Sequence, residues 1–399
     1  MLIKGRDIVV IGLQPWYFEI GSNCKNIALE FARYNRVLYV NTPINRKTFY
    51  SKEKNEGIRR HCDIIRNKTE NIYQIQDNLW EFYPTSIVES INWLPSTAAF
   101  RLINSINNKR FANDIRKAAD RLGFRDVILF NDNDFFNGYN LKKLLRPSVS
   151  LYYCRDYLRG FSYWKKHGDH LEPVVIQKAD GALANSLYLR DYCGQFNPRS
   201  FYIGQGCNLD LFDPMQEHPV PEEMKSINAP VIGYVGALTA ERLDLSVIEL
   251  IAKADPSWSV VLVGPEDDVF RQSSLHNMSN VFFHGRKPLA QLPAFIKCFD
   301  VCINPQLINE VTIGNYPLKV DEYLAMGKPV VATATKTMEL FRDHTYLADT
   351  PADYPSLIRK ALREDNEQLL RSRMAFARTH TWENCMIAIG KAVRELESR

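Results

Sequence analysis

Residues 313–333 read IGNYPLKVDEYLAMGKPVVAT, and most of the fold can be worked out from this stretch. Pro317 suits the first turn of a helix, where its missing N–H costs nothing, and Gly327 suits the residue just past a helix end. The spacing predicts a helix over 317–326, followed by a buried strand at KPVVAT. Lys319 and Glu322 stand three apart and so share one face, roughly 5–6 Å apart at Cβ. The free N–H groups of the first turn, together with the positive end of the helix dipole, predict a phosphate site at Asn315, Tyr316 and Leu318. Glu322 can then accept hydrogen bonds from two ribose hydroxyls, the use an acidic residue has in dinucleotide folds. The alternative is a surface ion pair worth a few tenths of a kcal/mol.

Working outward, the segments before this one are APVIGYVGAL, LDLSVIELIAKA, SVVLVG, NVFFHG, LAQLPAFIKCF and DVCINP. Strand and helix patterns alternate, which implies a parallel sheet covered by helices. The first half has the same texture: DIVVIGL, NCKNIALEFARY and VLYVNTP form a strand–helix–strand unit, and DVILF, SVSLYYC, GALANS and SFYIG follow. Between 97 and 122, Ala98, Leu102, Ile106, Ile115, Ala119 and Leu122 recur near helical spacing and predict a helix that ends at Gly123 and leads into the strand DVILF. Gly206, Pro214, Pro219, Pro221 and Pro230 are too many breakers for an element interior. The expected organisation is therefore a first domain over 1–205, a linker over 206–229, a second domain over 230–378, and a last helix over 379–399 that crosses back to the first domain.

At 399 residues the chain exceeds one ordinary core. With 45% hydrophobic and 24% charged residues it reads as globular. A net charge of +4 argues against a protein whose main task is to neutralise a nucleic-acid backbone. The opening MLIKGRDIVVIGL reads as a first strand rather than a leader, and no run approaches the roughly 18–20 apolar residues of a membrane span. A cytoplasmic location is expected, with peripheral contact at the inner membrane face left open. The eight cysteines lack metal-site or disulfide-scaffold spacing, and the close pair Cys298 and Cys302 reads as reduced core thiols.

EYLAMGKPVV resembles the nucleotide-sugar motif of GT-B glycosyltransferases, in particular the retaining group often called family 4 (group 1), near bacterial teichuronic-acid and exopolysaccharide transferases. GYVGAL, VVLVGP, VFFHG and LPAFIKCFDVCINP precede it in the family's order. The resemblance implies an α/β fold of two Rossmann-like domains facing across a cleft. It further implies that Glu322 holds the ribose, that Gly236 opens a loop near the diphosphate, that the loop after Gly264 lines the pocket, and that backbone near Arg286 meets the base. There are two departures. Gly314 stands where the family has its first Glu, leaving that role to Glu310, Asn315 or nothing. After the first glycine loop only Arg242 is basic, with Asp244 where a Lys is often found, so Lys319 is expected to supply the missing charge.

In such a fold the acceptor belongs mainly to the first domain. Gly21, Ser22 and Asn23 can bring backbone N–H groups to a phosphate, and Trp16, Tyr17 and Phe18 offer flat faces to a sugar. Asp156, beside Arg155 and Arg159, is the first candidate for a catalytic polar group and Asp132 the second. Strand-end Asp residues also commonly cap helices or form turns, and in retaining relatives the leaving phosphate itself is thought to act as base. His167 and His170 read as part of a solvated loop rather than a metal site, and no metal or other cofactor is expected. Residues 44–60 carry Arg46, Lys47, Lys52, Lys54, Arg59 and Arg60 with Phe49 and Tyr50 between them. They can rest on anionic lipid or form a solvated loop.

The expected activity is transfer of a sugar from a UDP- or GDP-type donor to a glycan or lipid-linked acceptor in envelope polysaccharide synthesis. A nucleotide-sugar 2-epimerase of the same fold and a non-catalytic partner protein are the alternatives. A dehydrogenase is disfavoured because no GxGxxG follows a strand.

Overall fold

The computed structural model describes residues 2–18, 22–208 and 210–398. The chain forms two compact units, Met1–Gly204 with Trp382–Arg399, and Gln205–Thr381.

The first unit is built on eight strands: β1 (Asp7–Ile11), β2 (Arg36–Val40), β3 (Ile72–Gln76), β4 (Leu79–Phe82), β5 (Ile128–Asp132), β6 (Val149–Cys154), β7 (Gly181–Ala184) and β8 (Ser200–Tyr202). They lie in the order β3-β4-β2-β1-β5-β6-β7-β8. All five residues of DIVVI in β1 are buried, because helices cover both faces of a parallel sheet and leave no wet side for a polar alternate. β1 pairs in parallel with β2 (Val10 opposite Tyr39) and β5 (Ile11 opposite Asn131). Only the edge pair β3 and β4 runs antiparallel, around a tight turn with Asn78 at φ +62°.

The final helix, Trp382–Glu397, puts Met386, Ile389 and Val393 into the first unit's core, beside Cys24, Ile27 and Phe31 of the Asn23–Ala32 helix. Burying three such side chains contributes about 1.5–3 kcal/mol each, enough to hold the helix on this unit.

The second sheet has six parallel strands, β9 (Val231–Val235), β10 (Ser259–Val263), β11 (Val281–Phe283), β12 (Val301–Asn304), β13 (Val330–Thr333) and β14 (Tyr346–Ala348), in the order β11-β10-β9-β12-β13-β14. VIGYV and SVVLV are again buried throughout. Residues 205–229 behave less like a linker than their prolines suggested. Phe212 and Met224 are buried in the second unit's core, and Ser259 donates to the Asn228 carbonyl at 2.7 Å.

In both sheets the chain enters at a middle strand, winds outward, and returns to build the other side. The strand order therefore reverses once per sheet, between β1 and β5 and between β9 and β12. The carboxyl ends at such reversals are where open α/β sheets leave a crevice for ligands.

Candidate functional site

The second unit's reversal point is assembled from three loops. After β9 the chain turns at Gly236 (φ +142°), whose N–H donates to the Val263 carbonyl at 2.9 Å. A Cβ on Gly264 would lie 1.8 Å from the Gly236 carbonyl oxygen, so the two loops touch backbone to backbone and admit no side chain there. The β9 loop is also clamped to the loop after β12: Leu307 N–H donates to the Arg242 carbonyl, Asp244 N–H to Pro305 and the Asn309 amide to Glu241, at 2.8–2.9 Å. Arg242 is left exposed, with no side-chain hydrogen bond or ion pair among the described residues.

The β12 loop leads into the Leu318–Ala325 helix, which ends at Gly327 (φ +74°) with the Lys328 N–H returning to the Tyr323 carbonyl. Val320, Tyr323 and Leu324 are buried, and the Tyr323 hydroxyl accepts from Val235 N–H at 2.8 Å, pinning the helix to the end of β9. On the adjoining face Asp321 is fully buried. Tyr316 donates its hydroxyl to one carboxyl oxygen at 2.7 Å, and His380 Nδ1 lies 2.6 Å from the other. Burial pushes the Asp321 carboxyl up, opposed by His380 and Tyr316.

Lys319 and Glu322 are not ion-paired. The Lys319 ammonium donates to the Tyr234 hydroxyl and sits 4.3 Å from that ring's centre, beside Gly236, where a Cβ would come within 3.0 Å of it. Glu322 is half-buried and accepts no hydrogen bond among the described residues. Burial pushes its carboxyl up to about 7, Lys319 pulls it back down, and Asp321 raises it further.

The expected cluster of free N–H groups in front of this helix needs correcting. Asn315 N–H donates to the Thr312 carbonyl at 2.9 Å and Leu318 N–H to Tyr316 at 3.1 Å, because the loop before Pro317 closes on itself in tight turns. Tyr316 turns its hydroxyl to Asp321 instead. Gly314 is buried within the same loop. Arg286 is exposed just past β11, after Gly285 at φ +61°. The sequence reading missed Tyr234, Asp321 and His380. An Asp beside Glu322, on the adjoining helix face, was the available signal for an anchored carboxylate, but nothing local marked His380, 59 residues on.

In the first unit Asp132 ends β5 fully buried. It accepts from Arg155 Nε at 2.7 Å and from Leu13 N–H at 3.3 Å. It is closed to solvent and anchors Arg155, which does not suit a proton acceptor for a substrate hydroxyl. Asp156 is the solvent-reaching member: its carboxylate takes the other end of Arg155, and its N–H donates to Asn133 at 3.0 Å. Ser22 caps the Asn23–Ala32 helix, its hydroxyl accepting from Lys25 N–H at 3.3 Å, while Gly21 lies outside the described residues. Trp16 is held by Asn41 and packs edge-on to Tyr39, and Tyr17 stacks on Tyr83, so of the three aromatics Phe18 is the exposed one. Lys25, also missed in the sequence, is buried and donates to the Phe18 carbonyl.

His167 does not lie in a solvated loop. It is buried in the Ser162–Lys178 helix, hydrogen-bonded to Thr97 at 3.1 Å and stacked on Phe100. Among the described residues no group of three or more His, Cys, Asp or Glu is placed to hold a metal ion. The basic stretch 44–60 is largely committed to the fold: Arg46 grips Glu89 through two 2.7 Å bonds, Arg60 lies over Tyr73 and Tyr83, and Phe49 is buried under Arg66.

Residues 229–364, which include the glycine loops, Arg242, Lys319 and Glu322, match the family described as glycosyl transferases group 1. The matched segment lies wholly within the second unit. TuaH, a Bacillus subtilis protein named for glycosyl transfer in teichuronic acid biosynthesis, is 27% identical over 224 residues. That match takes in 53% of this chain and 56% of TuaH, so the chain spans little more than half the length of this curated relative.

Beyond this segment, solved structures match nearly the whole chain. Sucrose-phosphate synthase of Thermosynechococcus elongatus has a TM-score of 0.64 at 14% identity, covering 98% of this chain and 99% of that one. Anabaena HepE, solved with UDP, gives 0.65 at 14% over 98% and 100%. A UDP-forming trehalose-phosphate synthase of Burkholderia vietnamiensis gives 0.67 at 10% over 100% and 98%. These likenesses establish the fold, which is GT-B.

Proposed function

We propose that the chain is a glycosyltransferase that moves a sugar from a nucleotide-diphosphate sugar to a glycan or lipid-linked acceptor in envelope polysaccharide assembly, on the cytoplasmic side of the membrane. The observation that carries this reading is Glu322. A half-buried carboxylate without a hydrogen-bond donor, at the reversal point of a parallel sheet, is an acceptor waiting for hydroxyl groups, and a ribose supplies two. The group 1 match, and the UDP bound by a protein of the same fold, support a uridine-type donor.

In this reading Lys319 and Arg242 stabilise the negative charge that grows on the diphosphate as the sugar–oxygen bond breaks. Fixed cations of this kind need no rearrangement when the charge appears. The bare backbone of Gly236 and Gly264 lets the diphosphate approach the sheet edge. The acceptor belongs to the first unit, where Asp156, half-buried and paired with Arg155, is the carboxylate that reaches solvent. Retention of anomeric configuration follows from the family resemblance, with the leaving phosphate taking the acceptor's proton.

The test is to incubate the protein with UDP- and GDP-sugars, with and without a membrane lipid extract, and follow release of the nucleoside diphosphate. Acceptor-dependent release is expected. Conversion of the donor to another sugar nucleotide without acceptor would favour the epimerase, and no turnover with any donor would overturn the enzymatic reading.

A further inference from the structure

The Thr97–Arg121 helix is turned partly inside out. Its buried face carries Asn104, Asn107 and Asn108. The Asn104 and Asn108 amides both donate to the Phe136 carbonyl (2.8 and 3.1 Å), and Asn107 brackets the backbone of Glu89. Leu102 and Ile106, part of the apolar spacing that marked the helix, face solvent at 72% and 48% exposure. Three polar side chains are thus satisfied inside while two large aliphatic ones stay wet, which is costly unless something covers them.

Next to Leu102 is an open groove of about 560 Å³, lined by Arg101, Lys109, Tyr139, Lys143 and Lys178 and by no carboxylate. The Lys178 ammonium and the Arg101 guanidinium both lie over the Tyr139 ring, 4.5 and 5.8 Å from its centre. None of the four cations makes a hydrogen bond or ion pair among the described residues. Desolvation, and then repulsion from Arg101 and Lys143, hold Lys178 below the usual lysine range. Trp93, just before the helix, is 72% exposed, with its indole N–H on the Ser90 carbonyl at 2.9 Å.

We infer that this face of the first unit is a docking surface for an anionic lipid bilayer, with Arg101, Lys109, Lys143 and Lys178 on the phosphates and Leu102, Ile106 and Trp93 dipping into the acyl boundary. Cations surround Leu102 at one groove, Ile106 follows it one turn on along the same helix, and a lipid interface offers both anions and hydrocarbon to such a face. A soluble polyanion satisfies only the charges. The inference is independent of the transferase reading, and it moves the membrane contact from residues 44–60, whose cations are mostly paired or stacked, to the 97–109 face.

The experiment is flotation of the full chain with vesicles of phosphatidylcholine alone or mixed with phosphatidylglycerol. The chain floats with the mixed vesicles, not with the neutral ones, and salt releases it. Arg101→Gln/Lys143→Gln lowers partitioning about fivefold per cation removed. Leu102→Ser/Ile106→Ser also lowers it, and both pairs keep the wild-type melting temperature because the side chains are exposed. Binding to neutral vesicles as strong as to mixed ones, or flotation unaffected by both pairs, overturns the inference. So does absence of flotation combined with retention on an acidic polysaccharide that survives Leu102→Ser/Ile106→Ser.

Discussion

Above about pH 8 the Glu322→Gln protein is more stable than the wild type by about 3 kcal/mol, and the difference closes below about pH 5. The carboxyl is pushed from 4.5 up to about 7 in the folded chain, mainly by burial. A raised value means the folded state holds its proton more tightly than the unfolded one. The stability this contributes is complete below the unfolded value of 4.5 and is lost as pH rises through 7. Above pH 7 the native protein therefore carries an ionised, half-buried carboxylate that accepts no hydrogen bond among the described residues, and Gln removes that cost. Urea unfolding of the two proteins across this range checks the sign and the size. A Glu322→Gln protein that is less stable at high pH would show that the carboxylate is a satisfied structural group. Retaining a destabilising acid is what a binding site does when its ligand provides the missing donors.

Arg155→Met has the opposite effect and the largest one expected in the first unit, a loss of about 3–5 kcal/mol. Asp132 is fully buried, and Arg155, at 2.7 Å, is the cation paired with it among the described residues. Without the guanidinium the carboxyl keeps the 3.3 Å bond from Leu13 and a weak contact with the Cys24 thiol, and must bury a charge or take up a proton. Breaking a buried pair from one side costs far more than removing both charges, so Asp132→Asn/Arg155→Met recovers most of the loss. Unfolding free energies of the two single variants and the double variant form the cycle. A loss in Arg155→Met below about 1 kcal/mol, the range of exposed pairs, would mean that Asp132 is not dependent on this partner and is open to a chemical role.

Much of the fold could be read from periodicity. Continuous apolar runs such as DIVVI and SVVLV announced strands buried on both faces, and Pro317 with Gly327 marked the helix that carries Lys319 and Glu322. The Thr97–Arg121 helix was legible as a helix but not in its orientation. Leu102 and Ile106 fit the apolar pattern, yet Asn104, Asn107 and Asn108 took the inner face because the Phe136 and Glu89 backbones there need donors and acceptors. The site was legible where chemistry follows from one segment and obscure where it depends on distant partners. Glu322 could be named from its own helix. That Lys319 turns to Tyr234, or that His380 closes on Asp321, depends on contacts 85 and 59 residues apart in the chain. The phosphate site drawn from Asn315 and Leu318 failed for a local reason: the turns before Pro317 consume those N–H groups.

Whether Glu322 holds a nucleotide's ribose is decided by calorimetric titration of the wild type and Glu322→Ala with UDP and GDP at neutral pH. One of these nucleotides binds the wild type, and Glu322→Ala weakens it by about 2–3 kcal/mol, roughly a hundredfold, as expected for losing hydrogen bonds to a charged acceptor. Equal affinity in the two proteins, or no binding of either nucleotide to the wild type, would contradict it.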